Sequence, residues 1–143
     1  MAKIQVFLDT DVIISSLISN TGASYEVINH PKIEKIISKT VVKEVNEVSK
    51  RLNIADQYTK TTLKKVTTIS LGITKNNLKK NYQEYIFDEK DSHVVAGAHR
   101  SKSKFLLTHN IKHYKVNSVE IDLGIMVIKP GNFLQYLRSI EAY

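Results

Sequence analysis

Apolar and polar positions alternate in blocks along this chain. Short β-branched runs, "IQVFL" (4–8) and "IEKIIS" (33–38), are separated by longer segments whose apolar residues recur at helical spacing. The spacing predicts helices from about Asp11, from about Gly22 and from about Thr40, with more helix through the lysine-rich middle. In the second half a helix is expected from Asp88 or Asp91, and "KFLLT" (104–108) and "IMVIK" (125–129) read as buried strands. Pro130-Gly131-Asn132 opens a last helix carrying Phe133, Leu134 and Leu137. Strands alternating with helices predict an α/β protein in which a parallel sheet is covered by helices on both faces. Residues 53–85 carry the weakest pattern, and no internal repeat or low-complexity tract is visible.

In an open parallel sheet the ligand crevice lies beyond the carboxyl ends of the strands, so the residues that follow each strand are the candidates for chemistry. Asp9 follows "VFL" directly, and Asp11 stands two residues on, with no glycine before the apolar pattern resumes. Asp11 alone reads as an N-cap of "VIISSLI", where a carboxylate meets free N–H groups and the positive end of the helix dipole. Asp9, at the strand end, reads as functional. His109 and Asn110 follow "KFLLT", and Asp88 and Asp91 begin the helix leading into that strand.

Within "TVVKEVNEVSKRL" (40–52), Val41, Val45, Val48 and Leu52 fall on one stripe at about 100° per residue. Glu44 lies on the shoulder of that stripe and Glu47 well round the outside; periodicity leaves Glu44 open between a core-edge site and a surface position. Asp91 opens its helix on the buried side, since Val94, Val95 and Ala98 follow at three, four and seven residues, while Ala96, Gly97 and Ala98 permit close packing. Asp88 reads equally as a cap. Buried-side carboxylates with no basic neighbour in the local sequence repel one another, and a shared cation is the natural way to stabilise them.

Composition narrows the choice of cation and partner. The 143 residues suffice for one domain, 1–143, without a Pro/Gly/Ser-rich linker, and with no cysteine a metal would be held by oxygen or imidazole. Mg²⁺, Mn²⁺ or a histidine site therefore remain. His93, His99, His109 and His113 match no zinc spacing and are expected at the surface or in supporting roles. A net charge of +7 favours a polyanion such as RNA, although Lys64-Lys65 and Lys79-Lys80 individually read as solvated helix faces. The sequence shows no apolar run of about 18 residues and no secretory signal, so a cytoplasmic protein without a membrane span is expected.

Taken together, these motifs resemble the PIN-domain ribonucleases. "VFLDTDVIISSL" resembles the first PIN motif: a strand, an Asp, a small hydroxylic residue (Thr10), Asn or Asp, then a helix with a downstream serine, here Ser15 or Ser16. "DEKDSHVVAGA" matches the helix segment through Asp91, Val95, Ala96 and Ala98, and "FLLTHNIKHY" matches the strand end through Thr108, Asn110 and Tyr114. Glu44 matches the remaining family acid, and "IMVIKPGNFLQYL" resembles the usual ending. The resemblance implies a three-layer α/β/α fold with about five parallel strands, and a Mg²⁺- or Mn²⁺-dependent endoribonuclease, commonly the toxin of a VapC-like toxin–antitoxin pair. It implies Asp9 and Asp91 as metal ligands, Glu44 and Asn110 as further catalytic residues, and Thr10, Asp11, Asp88 and Thr108 as supporting or secondary ligands. A homodimer, paired through "VIISSLI" and the helix from Gly22 to His30, and a cognate antitoxin are also implied. Two positions depart from the family: Asn110 stands where many members have Asp, and Asp11 where many have Asn. Asn110 leaves the count of metal ions at one or two.

Two other readings compete. "DTDVI" also resembles the start of haloacid-dehalogenase-like phosphatases, with Asp9 as nucleophile, Asp11 as general acid and Ser38 or Thr40 in the second motif, but no paired acids follow "FLLTHN". A PIN-like scaffold that binds RNA or protein without cutting is the other.

Overall fold

The computed structural model describes residues 3–141. Its order is β1 (Ile4–Leu8), α1 (Thr10–Ile18), α2 (Ala23–Ile28), β2 (Ile33–Ser38), α3 (Lys39–Arg51), α4 (Asp56–Leu63), β3 (Thr67–Ile69) and α5 (Lys75–Tyr82). Then follow α6 (Ser92–Arg100), β4 (Phe105–Leu107), α7 (Val116–Leu123), β5 (Met126–Ile128) and α8 (Pro130–Glu141), with short 3₁₀ turns at Gln83–Tyr85, Glu89–Asp91 and Ile111–His113. The five strands form one all-parallel sheet ordered β3-β2-β1-β4-β5, the middle layer of a three-layer α/β/α fold. The chain winds outward from β1 through β2 to β3, then returns to place β4 on the other side of β1. β1 and β4 therefore flank the switch point, where such sheets leave a crevice at the strand carboxyl ends.

The central strands are apolar on both faces because helices cover both. Val6, Phe7 and Leu8 of β1 and Leu106 and Leu107 of β4 are fully buried, and the register pairs Phe7 with Ile36 and Leu106. α6 seats on this centre through Gly97, where an added β-carbon would fall inside van der Waals contact of the Phe7 ring. The small residues "AGA" (96–98) thus set the close helix–sheet approach.

Three expectations change. Residues 53–85 contain an edge strand as well as helix, for Thr67–Ile69 pairs with Ile36–Ser38. Residues 116–123, not assigned from periodicity, form α7, ended by Gly124 in the left-handed conformation at φ 68°. Leu52 leaves the α3 stripe: it caps the helix and is exposed, and Ser49 continues the buried line after Val41 and Val45. No helix among the described residues is long and apolar enough to cross a membrane.

Candidate active site

β1 ends at Leu8 and α1 begins at Thr10, so one residue, Asp9, makes the whole junction. Its backbone N–H still donates to Leu107 O at 3.0 Å, continuing the β1–β4 ladder. Asp9 itself is the N-cap, its Oδ1 accepting from Thr10 N–H at 2.7 Å. Its Oδ2 accepts from Thr108 Oγ1 at 2.9 Å and from Tyr114 Oη at 2.8 Å. The cap expected at Asp11 is therefore at Asp9, because the helix starts without any intervening loop.

Asp11 instead lies in the first turn of α1 and reaches across to the loop after β4. Its carboxylate accepts from Asn110 Nδ2 at 2.8 Å, from His109 N–H at 3.2 Å and from Thr108 Oγ1 at 3.2 Å. Burial and the neighbouring Asp9 push the Asp11 carboxyl up to about 6, against the opposing pull of these donors. Asn110 consequently meets Asp11, and no hydrogen bond joins it to Asp9 or Asp91 among the described residues.

Glu44 projects from the second turn of α3 and is half-buried. Its Oε1 accepts from Thr10 Oγ1 at 2.8 Å and lies 3.2 Å from Nε2 of the buried His93. Burial raises the Glu44 carboxyl, but His93, Thr10 and Lys90 together outweigh it and hold the group below its ordinary value. Asp91 is the N-cap of α6. Its Oδ2 is buried without a hydrogen-bond partner; His113 Nδ1 stands at 3.6 Å. Burial and then Asp9 raise the Asp91 carboxyl.

Asp9, Thr10, Glu44, Asp91 and His93 line one small cleft of about 210 Å³ at the sheet's carboxyl edge. Asp88 stays outside it, exposed, its Oδ1 capping the 3₁₀ turn through Lys90 N–H at 3.1 Å. Ser16 spends its hydroxyl on Ile13 O at 2.6 Å within α1, and Ser38 caps α3 through Val41 N–H at 3.2 Å. Ser38 is therefore committed to holding a helix end. A second, larger cleft of about 810 Å³ adjoins the first and shares His93; Lys39, Lys75, Lys79 and Lys90 line it.

Sequence reasoning missed His93 and Tyr114 as specific partners of the acids. His93 sits two residues after Asp91 inside an apolar helix face, a weak signal for a buried polar contact. In the sequence Tyr114 is only an aromatic after the strand end; its hydroxyl, pushed well above the usual phenol range by burial and Asp9, is held as a donor. Tyr114→Phe is expected to lower the apo stability by on the order of 1 kcal/mol, read as a lower melting temperature, since it deletes a buried hydrogen bond to a carboxylate. An unchanged melt would show that the hydroxyl does not hold Asp9.

No three Asp, Glu or His side chains among the described residues already converge as a metal cage. The donor chemistry nevertheless fits a divalent cation: hard carboxylate oxygens, an orphaned buried Asp91 Oδ2, and acids destabilised by one another. Mg²⁺ commonly uses one or two protein carboxylates and completes its shell with water and phosphate oxygen, so a closed cage is not required.

A family model described as "PIN domain" matches residues 5–112. Among solved structures, the chain is similar to a toxin–antitoxin complex from Klebsiella pneumoniae, with TM-score 0.63 and 18% identity over 87% of this chain and 97% of that one. It is also similar to VapBC2 from Rickettsia felis bound to a DNA fragment from their promoter, with TM-score 0.58 and 12% identity over 88% of this chain and 98% of that one. A search of curated proteins returned no match.

Proposed function

Because the chain belongs to the PIN-domain family, we propose that it is a Mg²⁺- or Mn²⁺-dependent endoribonuclease, the cytoplasmic toxin of a type II toxin–antitoxin pair, built as one domain over 1–143. The observation that carries this reading is the meeting of Asp9, Glu44 and Asp91 in one cleft beside a lysine-lined cleft. The haloacid-dehalogenase-like alternative loses its support with Ser38 used as a cap and a PIN model matching the chain.

In this reading Asp9 and Asp91 hold the cation, which when bound supplies Lewis-acid polarisation of the phosphate and acidification of water. The chain's own groups do the rest. Thr10 N–H, Thr108 and Tyr114 fix the Asp9 carboxylate from three directions. Thr10 and His93 fix Glu44, whose depressed carboxyl stays ionised and so can accept a hydrogen bond that orients the attacking water. Asp11, bonded to Asn110 and His109 N–H, ties the first turn of α1 to the loop after β4, so that Asp9 and Thr108 keep their relative positions. Lys39 and Lys75 attract the phosphates of the strand being cut, while Lys79 and Lys90 of the same cleft pair with Glu89 and Asp88.

The test is cleavage of single-stranded RNA by the purified chain, present with Mg²⁺ or Mn²⁺ and lost on chelation. Metal-independent cleavage, or none with any divalent ion, sinks the reading. Pairing is proposed through α1 and α2, near the exposed Ile18 and Tyr25, with a cognate antitoxin as the second partner. Sedimentation at micromolar concentration is expected to give a homodimer; a monomer alone counts against it.

A further inference from the structure

We propose that Phe87 and Lys115 form a stacking platform for an unpaired nucleotide of the substrate strand, on the rim of the carboxylate cleft. The inference deepens the nuclease reading above and rests on it. Ile86 and Tyr114 pair in an isolated antiparallel bridge, flanked by Phe87 N–H to His113 O at 3.3 Å and Lys115 N–H to Tyr85 O at 2.9 Å. Side chains alternate across such a ribbon. Ile86 and Tyr114 turn inward, and Tyr114 reaches Asp9. Phe87, His113 and Lys115 are on the exposed side, where His113 is the one that stands beside Asp91.

A single exposed apolar residue needs no explanation by itself. Phe87 differs in its setting. It is 70% exposed on a backbone pinned from both sides, and Lys115 Nζ lies 5.4 Å from its ring centroid. The cation takes one part of the ring and leaves the rest of its surface to solvent. Directly across the ribbon from Phe87 stands His113, whose Nδ1 lies 3.6 Å from Asp91 Oδ2 on the carboxylate cleft, so a base resting on the ring belongs to a nucleotide close to the bond being cut. Lys112 and Lys115 offer charge to the adjoining phosphates. Aromatic faces stack any base, with preference for strands whose bases are not already stacked in a duplex. The substrate class that fits is a single strand, held next to the scissile phosphate by stacking instead of by base-edge readout.

The chain has no tryptophan, so Phe87→Trp introduces a sole indole that reports on the platform. With EDTA present to prevent cleavage, labelled oligoadenylate, the same strand in a duplex, and an abasic ribose-phosphate strand of equal length are titrated against the parent, Phe87→Trp, Phe87→Leu and Lys115→Gln. The single strand is expected to quench the indole while the abasic strand does not. Phe87→Leu should weaken single-strand affinity by about tenfold, with Phe87→Trp retaining it. Lys115→Gln should weaken binding less and reduce its salt dependence. Equal affinity of Phe87→Leu and parent, equal binding of the abasic strand, or a parent that binds no strand overturns the platform. Unchanged RNA affinity with a dimer converted to monomer overturns it in favour of a protein contact. Metal-dependent cleavage with no Phe87 effect leaves the nuclease reading standing; Phe87-dependent binding with no cleavage removes that reading and keeps the platform.

Discussion

Asp9→Asn is expected to reduce metal-dependent RNA cleavage by more than about a hundredfold, beyond the loss typical of residues that merely support a metal ligand. The apo protein should melt no lower than the parent. Asparagine keeps the shape and an oxygen for Thr10 N–H, while its amide can donate to the hydroxyls of Thr108 and Tyr114. Removing the charge also relieves Asp11 and Asp91, both of which are raised by burial and by Asp9. The rise in melting temperature on adding Mn²⁺ should disappear together with cleavage. A folded variant that still cuts, with contaminating nuclease excluded, removes Asp9 from the mechanism.

Asn110→Asp is expected to act in the opposite direction on the two states. The new carboxylate replaces a donor that stands 2.8 Å from Asp11 Oδ2, in a place where Asp11 already has its carboxyl pushed up to about 6. For an acid raised in the folded state, the native protein binds the extra proton between the ordinary value of 3.8 and about 6. The penalty is fully present above about pH 6 and is relieved as pH falls toward 3.8. The variant should therefore lose on the order of 1 kcal/mol of apo stability at neutral pH, the figure being kept small because Asn110 is exposed, and less near pH 5. A further hard oxygen near the cations should enlarge the stabilisation by Mn²⁺. Melts that match the parent with and without Mn²⁺ would show that position 110 does not face the cation site.

Most of the sheet was legible because its central strands are short apolar runs ending at polar residues; β1, β2, β4 and β5 announce themselves in "IQVFL", "IEKIIS", "KFLLT" and "IMVIK". β3 did not, since it is three residues long, lies at the edge and exposes both threonines, leaving no burial pattern to read. The acids could be placed at one edge of the sheet from sequence, but their partners could not. The cap that spacing suggests at Asp11 stands at Asp9, and Asp11 cross-links to the loop after β4, because only the fold reveals that no loop separates β1 from α1. The contacts Asn110–Asp11, His93–Glu44 and Tyr114–Asp9 join residues between 49 and 105 positions apart, a scale on which helical and strand periods carry no information.

The order of the strands also divides the machinery by its freedom to open. Asp9 is anchored on β1, hydrogen-bonded on both sides to β2 and β4, so its release requires breaking the middle of the sheet. The lysine-lined cleft borrows one wall from residues 70–73, which follow the three-residue edge strand. Edge segments open locally at a small fraction of the global unfolding free energy, whereas central strands open near the global limit. In the proposed nuclease, fraying at β3 would loosen the lysine-lined cleft without disturbing the carboxylates anchored at the centre of the sheet. On that reading, substitutions along residues 70–79 would retune which strands enter, while the chemistry would remain tied to the least yielding part of the protein.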